Sequence, residues 1–214
     1  NEVTELDNQQ RVIDLVSGTG FAMEGYPVRS IFSIPFKGLN DEGIPTFLDQ
    51  DGNISTTGIY FQERDKIDFL EYSGTADPTD FGSLGNTFIY KNFKLNVFMT
   101  YSFGNVVRLD PVFRNSYSDL DAMPKEFKNR WILPGDENIT TVPVISSVRQ
   151  NNNDAYLSYA YNAYNYSSER IAKGDFIRLK EVSLSYDFPS AWVKKLMLSN
   201  LSLKLQATNL CLLY

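Results

Sequence analysis

A chain of 214 residues, 43% hydrophobic and 21% charged, is long enough for one large or two small domains and suits either a globular protein or a membrane β-barrel. Its net charge of -6 argues against nucleic acid as a partner, because phosphate binding needs a basic face. Histidine is absent and Cys211 is the single cysteine, which excludes Ser-His and Cys-His nucleophile pairs, the usual zinc sets and an internal disulfide.

Tyr 13 and Phe 15 are a high aromatic content of the kind that favours strands and marks the interfaces of outer-membrane barrels. No apolar run reaches the roughly 18 residues of a transmembrane helix. The opening NEVTELDNQQ is polar and lacks signal-peptide features, which leaves a cytosolic protein or an interior piece of a longer chain.

Residues 1–20 carry a weak helical or loop pattern (Val3, Leu6, Val12, Ile13, Leu15) that ends in the turn SGTG. Alternation predicts a strand over 28–37, with Val28, Phe32, Ile34 and Phe36 on one face and Arg29, Ser33 and Lys37 on the other. Pro35 inside it demotes the run to an edge or strand end. Asp-Glu-Gly at 41–43 and Asp-Gly at 51–52 are turn chemistry around a short strand at 46–48, followed by loop as far as Pro78. A hairpin comes next, with arms at 84–90 and 93–109 and Lys91-Asn92 as its tight turn.

The second arm has the clearest period. Phe93, Leu95, Val97, Met99, Tyr101 and Phe103 share one face; Lys94, Asn96, Phe98, Thr100, Ser102 and Gly104 share the other. Aromatics at both ends of an apolar face are what a lipid-facing barrel strand needs, although a half-buried strand of a soluble sandwich has the same alternation. Residues 110–170, rich in Asn, Ser, Asp and Tyr, show no period and read as a long loop, which counts against a compact soluble domain. Two strands follow. Over 176–188, Val182, Leu184, Tyr186 and Phe188 oppose Glu181, Ser183, Ser185 and Asp187. Over 201–210, Leu201, Leu203, Leu205 and Ala207 oppose Ser202, Lys204, Gln206 and Thr208. The intervening PSAWVKKLMLSN predicts a short amphipathic helical turn with Trp192 at an interface. Roughly five to seven strands cannot close a membrane barrel, whose smallest members have about eight.

The order of motifs resembles the C-terminal part of the SusC/RagA family of TonB-dependent outer-membrane transporters. It is carried by EGYPVRSIFSIPFKGLNDEGIPTFLDQDG at 24–52 and YSGTADPTDFGSLGNTFIYKNFKLNVFMTYSFGN at 72–105, then RWILPGDENITTVPVI at 130–145. GDFIRLKEVSLSYDFP at 174–189 and NLSLKLQATNL at 200–210 complete it. The resemblance implies an all-β fold: an antiparallel transmembrane β-barrel of about 22 strands around a plug, of which residues 1–214 supply only C-terminal strands and loops. It places the plug, the TonB-contacting motif and the signal peptide before residue 1 and expects the family pattern to continue past Tyr214. It further implies the bacterial outer membrane, uptake of oligosaccharide or peptide energised through TonB, and a SusD-like lipoprotein lid, with 110–170 extracellular.

On that reading the polar faces (Lys94, Asn96, Thr100, Ser202, Lys204, Gln206) line the lumen and the opposite faces meet outer-membrane lipid. Tyr156, Tyr159, Tyr161 and Tyr164, with Tyr166 and Trp131, are candidate substrate contacts, because tyrosine offers a flat apolar face with a polar tip. Loop self-packing or contact with the lid protein explains the same residues, and Arg130-Trp131 with Pro134-Gly135-Asp136 reads better as a rigid corner. Asp49, Asp51, Asn53 and Ser55 alternate oxygen donors, but Gly52 stands fourth where a calcium loop needs glycine sixth, so the stretch reads as a turn. Asp119/Asp121 and Glu63/Asp65 have no fixed geometry, and Ser167-Ser168 has no base. The sequence therefore predicts no catalytic residues, metal or cofactor. A secreted or surface β-sandwich that binds carbohydrate is the alternative from another class, and a passive porin is a second rival.

Overall fold

The computed structural model describes residues 2–6, 10–17, 23–113, 123–145 and 156–214. They are mostly strand with a few short helices, in two compact units: Asn1–Ala76 with Val106–Ala172, and Asp77–Asn105 with Lys173–Tyr214.

The first unit is assembled from short pieces. Helix α1 (Val12–Ser17) buries Val12, Leu15 and Val16, the i, i+3, i+4 face of one turn and a half. Strand β1 (Ser30–Ser33) pairs antiparallel with β5 (Glu71–Thr75), while β2 (Phe36–Leu39), β3 (Pro45–Leu48) and β4 (Ile54–Ser55) form a three-stranded sheet. The strand expected over 28–37 is thus two strands broken at Pro35, which has no amide hydrogen for a ladder. All four residues of β1 are buried, so the expected inside-outside alternation fails there. Strand β5 also lies within a stretch expected as loop, and β8 (Val106–Arg108) pairs with β9 (Ile171–Lys173).

The stretch 110–170 is not simply loop either. Among its described residues are two 3-10 turns, Lys125–Asn129 and Asp136–Asn138, the helix α2 (Leu157–Asn165), and a third 3-10 turn at Ser168–Arg170. Helix α2 buries Leu157, Tyr161, Ala163 and Tyr164 against Val12, Ile34, Phe47, Phe113 and Phe127. Buried Asn165 ties the chain to this helix: its Oδ1 accepts the Val112 and Phe113 amides at 3.0 and 3.1 Å, and its Nδ2 donates to the Phe113 carbonyl at 2.9 Å.

The second unit is one antiparallel sheet in the order β11-β10-β7-β6. Its strands are β6 (Asp80–Tyr90), β7 (Phe93–Phe103), β10 (Phe176–Asp187) and β11 (Ser202–Leu213), each 11 or 12 residues long. Lys91, at φ 52, turns the chain between β6 and β7. Strand β6 starts four residues earlier than expected and β11 runs three residues further. The arm expected to reach 109 ends at Phe103, where Gly104 takes φ +79 and donates its amide to Asp175 Oδ1 at 2.7 Å. Helix α3 (Ser190–Lys195) occupies the connection between β10 and β11.

Candidate functional site

Strand registry decides which side chains share a surface. Directly across from Leu95, Val97, Met99 and Tyr101 on β7 lie Leu184, Val182, Leu179 and Ile177 on β10. Across from those on β11 lie Leu205, Ala207, Cys211 and Leu213. On the other side β6 contributes Phe88, Asn86, Leu84 and Gly82. Four strands therefore join their apolar positions into one surface, with Asn86 the one polar side chain in these four rows and Asp80 at the strand end across from Phe103.

A bulge keeps this surface continuous. Strict alternation back from Val182 would carry Lys180, Arg178 and Phe176 onto the apolar side. Lys180 is instead unpaired between Leu179 and Glu181, which resets the phase and brings Ile177 and Leu179 to the apolar side. Strand β11 has its own irregularity at the same level, where Asn209 takes φ 53.

Aromatic residues gather at both ends. Phe93 and Tyr186 meet at 4.6 Å between ring centroids, with Phe188 5.0 Å from Tyr186; at the far end Tyr101 stacks on Phe103 at 5.5 Å. Eleven residues extend about 35 Å, and tilted as barrel strands are they rise about 25 to 28 Å, close to the apolar band of an outer-membrane barrel. On this surface Leu205 is 63% exposed and Tyr90 70%.

The reverse surface is polar. Lys94, Asn96, Thr100, Ser202, Lys204 and Gln206 all lie on it, together with Ser183, Ser185, Arg178 and Glu181. Thr87 Oγ1 donates to Asn96 Oδ1 at 2.6 Å, and Asn96 Nδ2 reaches Ser183 Oγ at 3.3 Å, a polar row across three strands. Phe81, Ile89, Phe98 and Leu212 interrupt this side.

The expected aromatic ladder divides. Tyr156 and Tyr159 are 64% and 51% exposed, with ring centroids 6.3 Å apart, and could present stacking faces to a ligand. Tyr161 and Tyr164 are core residues, which corrects their expected place in the ligand-facing set. Phe113 stacks on Tyr161 at 4.5 Å, and the Tyr161 hydroxyl donates to the Val144 carbonyl at 2.8 Å. Burial pushes the Tyr164 hydroxyl well above the ordinary tyrosine range, so it stays neutral. The helical spacing 157, 160, 161, 164 is the sequence signal for this burial, and it is hidden by the Asn and Tyr content. Tyr166 is half-buried, edge-on to Phe61.

Trp131 is also buried rather than presented. Its indole N–H donates to Glu137 Oε2 at 2.9 Å and its ring lies against Gly43, where an added Cβ would come within 2.5 Å. Gly43 takes φ +75 as well, so conformation and space both call for glycine. Asp136 Oδ2 accepts the Ile132 and Leu133 amides at 3.0 and 2.9 Å, completing the rigid corner. An open hollow of 650 Å³ beside it is bounded by Asn129, Arg130, Asp136, Glu137, Thr140 and Val142.

Arg108 is a functional-looking residue that pattern reading passed over. Burial lowers its pKa to about 10; Nη2 donates to the Phe32 carbonyl at 2.5 Å, and the guanidinium lies 5.9 Å from the Tyr166 ring. The remaining reactive-looking groups have local structural tasks. Glu63 Oε1 accepts the Arg64 and Asp65 amides, Ser167 Oγ donates to the Tyr164 carbonyl, and Ser168 Oγ accepts the Phe36 amide. Asp49 Oδ1 accepts the Asp51 and Asn53 amides in the expected turn. Asp119 and Asp121 lie outside the described residues. Among the described residues no group of three or more His, Cys, Asp or Glu is placed to hold a metal ion.

No protein-family model matches the chain. A TonB-dependent receptor of Formosa agariphila is 31% identical over 132 residues, which is 60% of this chain and 12% of that protein. A solved structure of the RagAB peptide transporter superposes with a TM-score of 0.67 at 18% identity, over 99% of this chain and 22% of the other. The RagAB peptide importer in its open-open state gives 0.65 at 18% identity, over 100% and 22%. Its closed-closed state gives 0.60 at 21%, over 89% and 20%. The chain thus spans a small part of each protein it resembles. By sequence it is a segment similar to TonB-dependent receptors, and by fold a segment similar to the RagA type of importer, which is the resemblance that its motif order carries.

Proposed function

We propose that this chain is a wall-and-loop segment of a TonB-dependent outer-membrane transporter. Strands β6, β7, β10 and β11 cross the membrane as four adjacent staves of a larger plugged barrel, with their shared apolar surface against lipid. The observation that carries this reading is the continuity of that surface across four strands of membrane length, kept in phase by the bulge at Lys180. The reverse surface, with Lys94, Asn96, Thr100, Ser202, Lys204 and Gln206, faces the lumen. Residues 110–170 are extracellular, and within them exposed Tyr156 and Tyr159 are available to an oligomeric nutrient or to a SusD-like lipoprotein lid. Uptake is driven through TonB, and the chemistry is binding and passage rather than bond making. The similarity to a transporter of peptides favours peptide over glycan.

The test is a scan of single nitroxide labels along 93–103 in the whole receptor reconstituted in bilayers. Accessibility to dissolved oxygen should alternate, high at 95, 97 and 99 and low at 94, 96 and 98. A flat profile, or one in the opposite phase, overturns the assignment of faces. Peptide binding to the purified receptor should weaken in Tyr156→Ala and Tyr159→Ala; unchanged binding would leave both rings to the lid protein or to loop packing.

A further inference from the structure

The two ends of the sheet in the second unit differ in charge and in surface. The end at which β6 begins, β7 finishes and β10 begins carries Asp77, Asp80 and Asp175 with one nearby lysine, Lys173. The opposite end is closed by two short connections, one through Lys91 and Asn92, the other through residues 188–201. Asn92 holds the two together: Nδ2 donates to the Asp187 carbonyl at 2.5 Å, and its own carbonyl accepts the Asp187 amide at 2.9 Å.

Residues 188–201 contain no acidic side chain and two adjacent lysines, Lys194 and Lys195. Their only buried large residue is Val193; beyond it Trp192, Leu196, Met197 and Leu198 stand out from the fold, Met197 being 96% exposed. Met197 takes φ 56 where the turn ends. Exposed apolar side chains of this size are rarely left in water, and here they adjoin the end of the apolar surface marked by Phe93, Tyr186 and Phe188. Trp, flexible apolar side chains and lysines in one short segment are the composition of a membrane-interfacial anchor.

We propose that the connection between β10 and β11 is such an anchor and binds the headgroup layer of an anionic phospholipid leaflet. Trp192, Leu196, Met197 and Leu198 enter the acyl boundary, while Lys194 and Lys195, with Lys91 on the neighbouring turn, meet phosphate. Charge complementarity selects the lipid: three lysines face one nearby carboxylate, Asp187, whose strand position puts it on the polar side of the sheet. This rests on the membrane-spanning reading of the sheet.

The experiment uses the whole receptor in bilayers of phosphatidylcholine with and without phosphatidylglycerol, carrying one nitroxide at position 97 or one at 197. The label at 97 should be shielded from an aqueous nickel relaxant in both bilayers. The label at 197 should be shielded, at interfacial depth, in bilayers that contain phosphatidylglycerol. Lys194→Gln with Lys195→Gln should raise its aqueous exposure several-fold there and leave the label at 97 unmoved. Aqueous exposure at 197 beside a buried 97 overturns the anchor alone; exposure at 97 overturns the membrane reading beneath it. Insensitivity of 197 to both the double substitution and the lipid headgroup overturns the anionic partner.

Discussion

The two units dispose of their apolar side chains in opposite ways. In the first, large residues from distant parts of the chain (Val12, Ile34, Phe47, Phe113, Tyr164) turn inward on one another and little of them is left exposed. In the second, residues of the same types form an outward surface of four registered strands, and half or more of Leu203, Leu205, Leu213, Phe88 and Tyr90 is exposed. A protein core stabilises the first by excluding water; the second needs hydrocarbon to do so. The cost of placing a charge on an exposed apolar side chain should therefore depend on which unit it falls in.

The sharpest way to break this contrast is inside the first unit. Tyr164→Ala empties a site packed by Phe36 and Phe113, with centroids at 5.7 and 5.6 Å. By the range for large aromatic truncations it should cost about 3–5 kcal/mol of local stability. Hydrogen exchange on the whole receptor should show α2 and residues 112–113 opening while β7 stays protected. Equal deprotection of β7 would mean that the two units share one core.

Val97→Arg is the complementary test, at about 2–4 kcal/mol of assembly free energy if Val97 sits near the bilayer midplane. Asn96→Arg, one residue away on the polar side, should be milder. Ile139→Arg should change stability by no more than about 0.5 kcal/mol, since Ile139 is an exposed surface residue of the first unit. Urea titration of the reconstituted receptor measures all three. A penalty at Ile139 as large as that at Val97 would erase the distinction between lipid-facing and water-facing apolar residues.

That distinction also explains what could be read without coordinates. Along β7 each side chain's surroundings follow from whether its position is odd or even, so eleven residues carry the pattern of the whole sheet. Pairing across strands adds only the phase, and the pattern alone does not reveal the bulge at Lys180 that holds it. In the first unit most strands have two to five residues, too few for any period to emerge. Its core is made between residues far apart in sequence, as when Asn165 fastens Val112 and Phe113. Tyr161 and Trp131 stand among the ligand-facing candidates for the same reason: nothing next to them in sequence announces Phe113 or Gly43 as their neighbours.

Gly43→Ala tests that last pairing with a smaller effect. The new Cβ must share space with the Trp131 ring and the backbone must hold φ +75, a strain of order 1–3 kcal/mol. Hydrogen exchange over residues 130–145 should rise, because Trp131 donates its amide to the Val142 carbonyl at 2.9 Å and Val144 donates to the Gly43 carbonyl at 3.0 Å. Unchanged exchange would mean that Trp131 has room to withdraw.

The smallest effect is expected from acid, at the same corner. The indole N–H of Trp131 is the chief cause of the lowered Glu137 pKa, aided by backbone amides including that of Gly135; the Leu133 and Ile132 amides lower that of Asp136. A carboxylate depressed in the folded state contributes stability above its unfolded pKa, about 4, and loses that contribution as pH falls through the folded value. Both groups are half-buried at the surface, so solvent screening keeps the contribution slight. Exchange over residues 131–139, corrected for its intrinsic pH dependence, should rise below about pH 4 while that of α2 does not. Glu137→Gln keeps an acceptor for the indole but cannot titrate, so its Trp131 segment should lose the acid response. A persistent response in that variant would assign the change to Asp136, and Asp136→Asn should then abolish it.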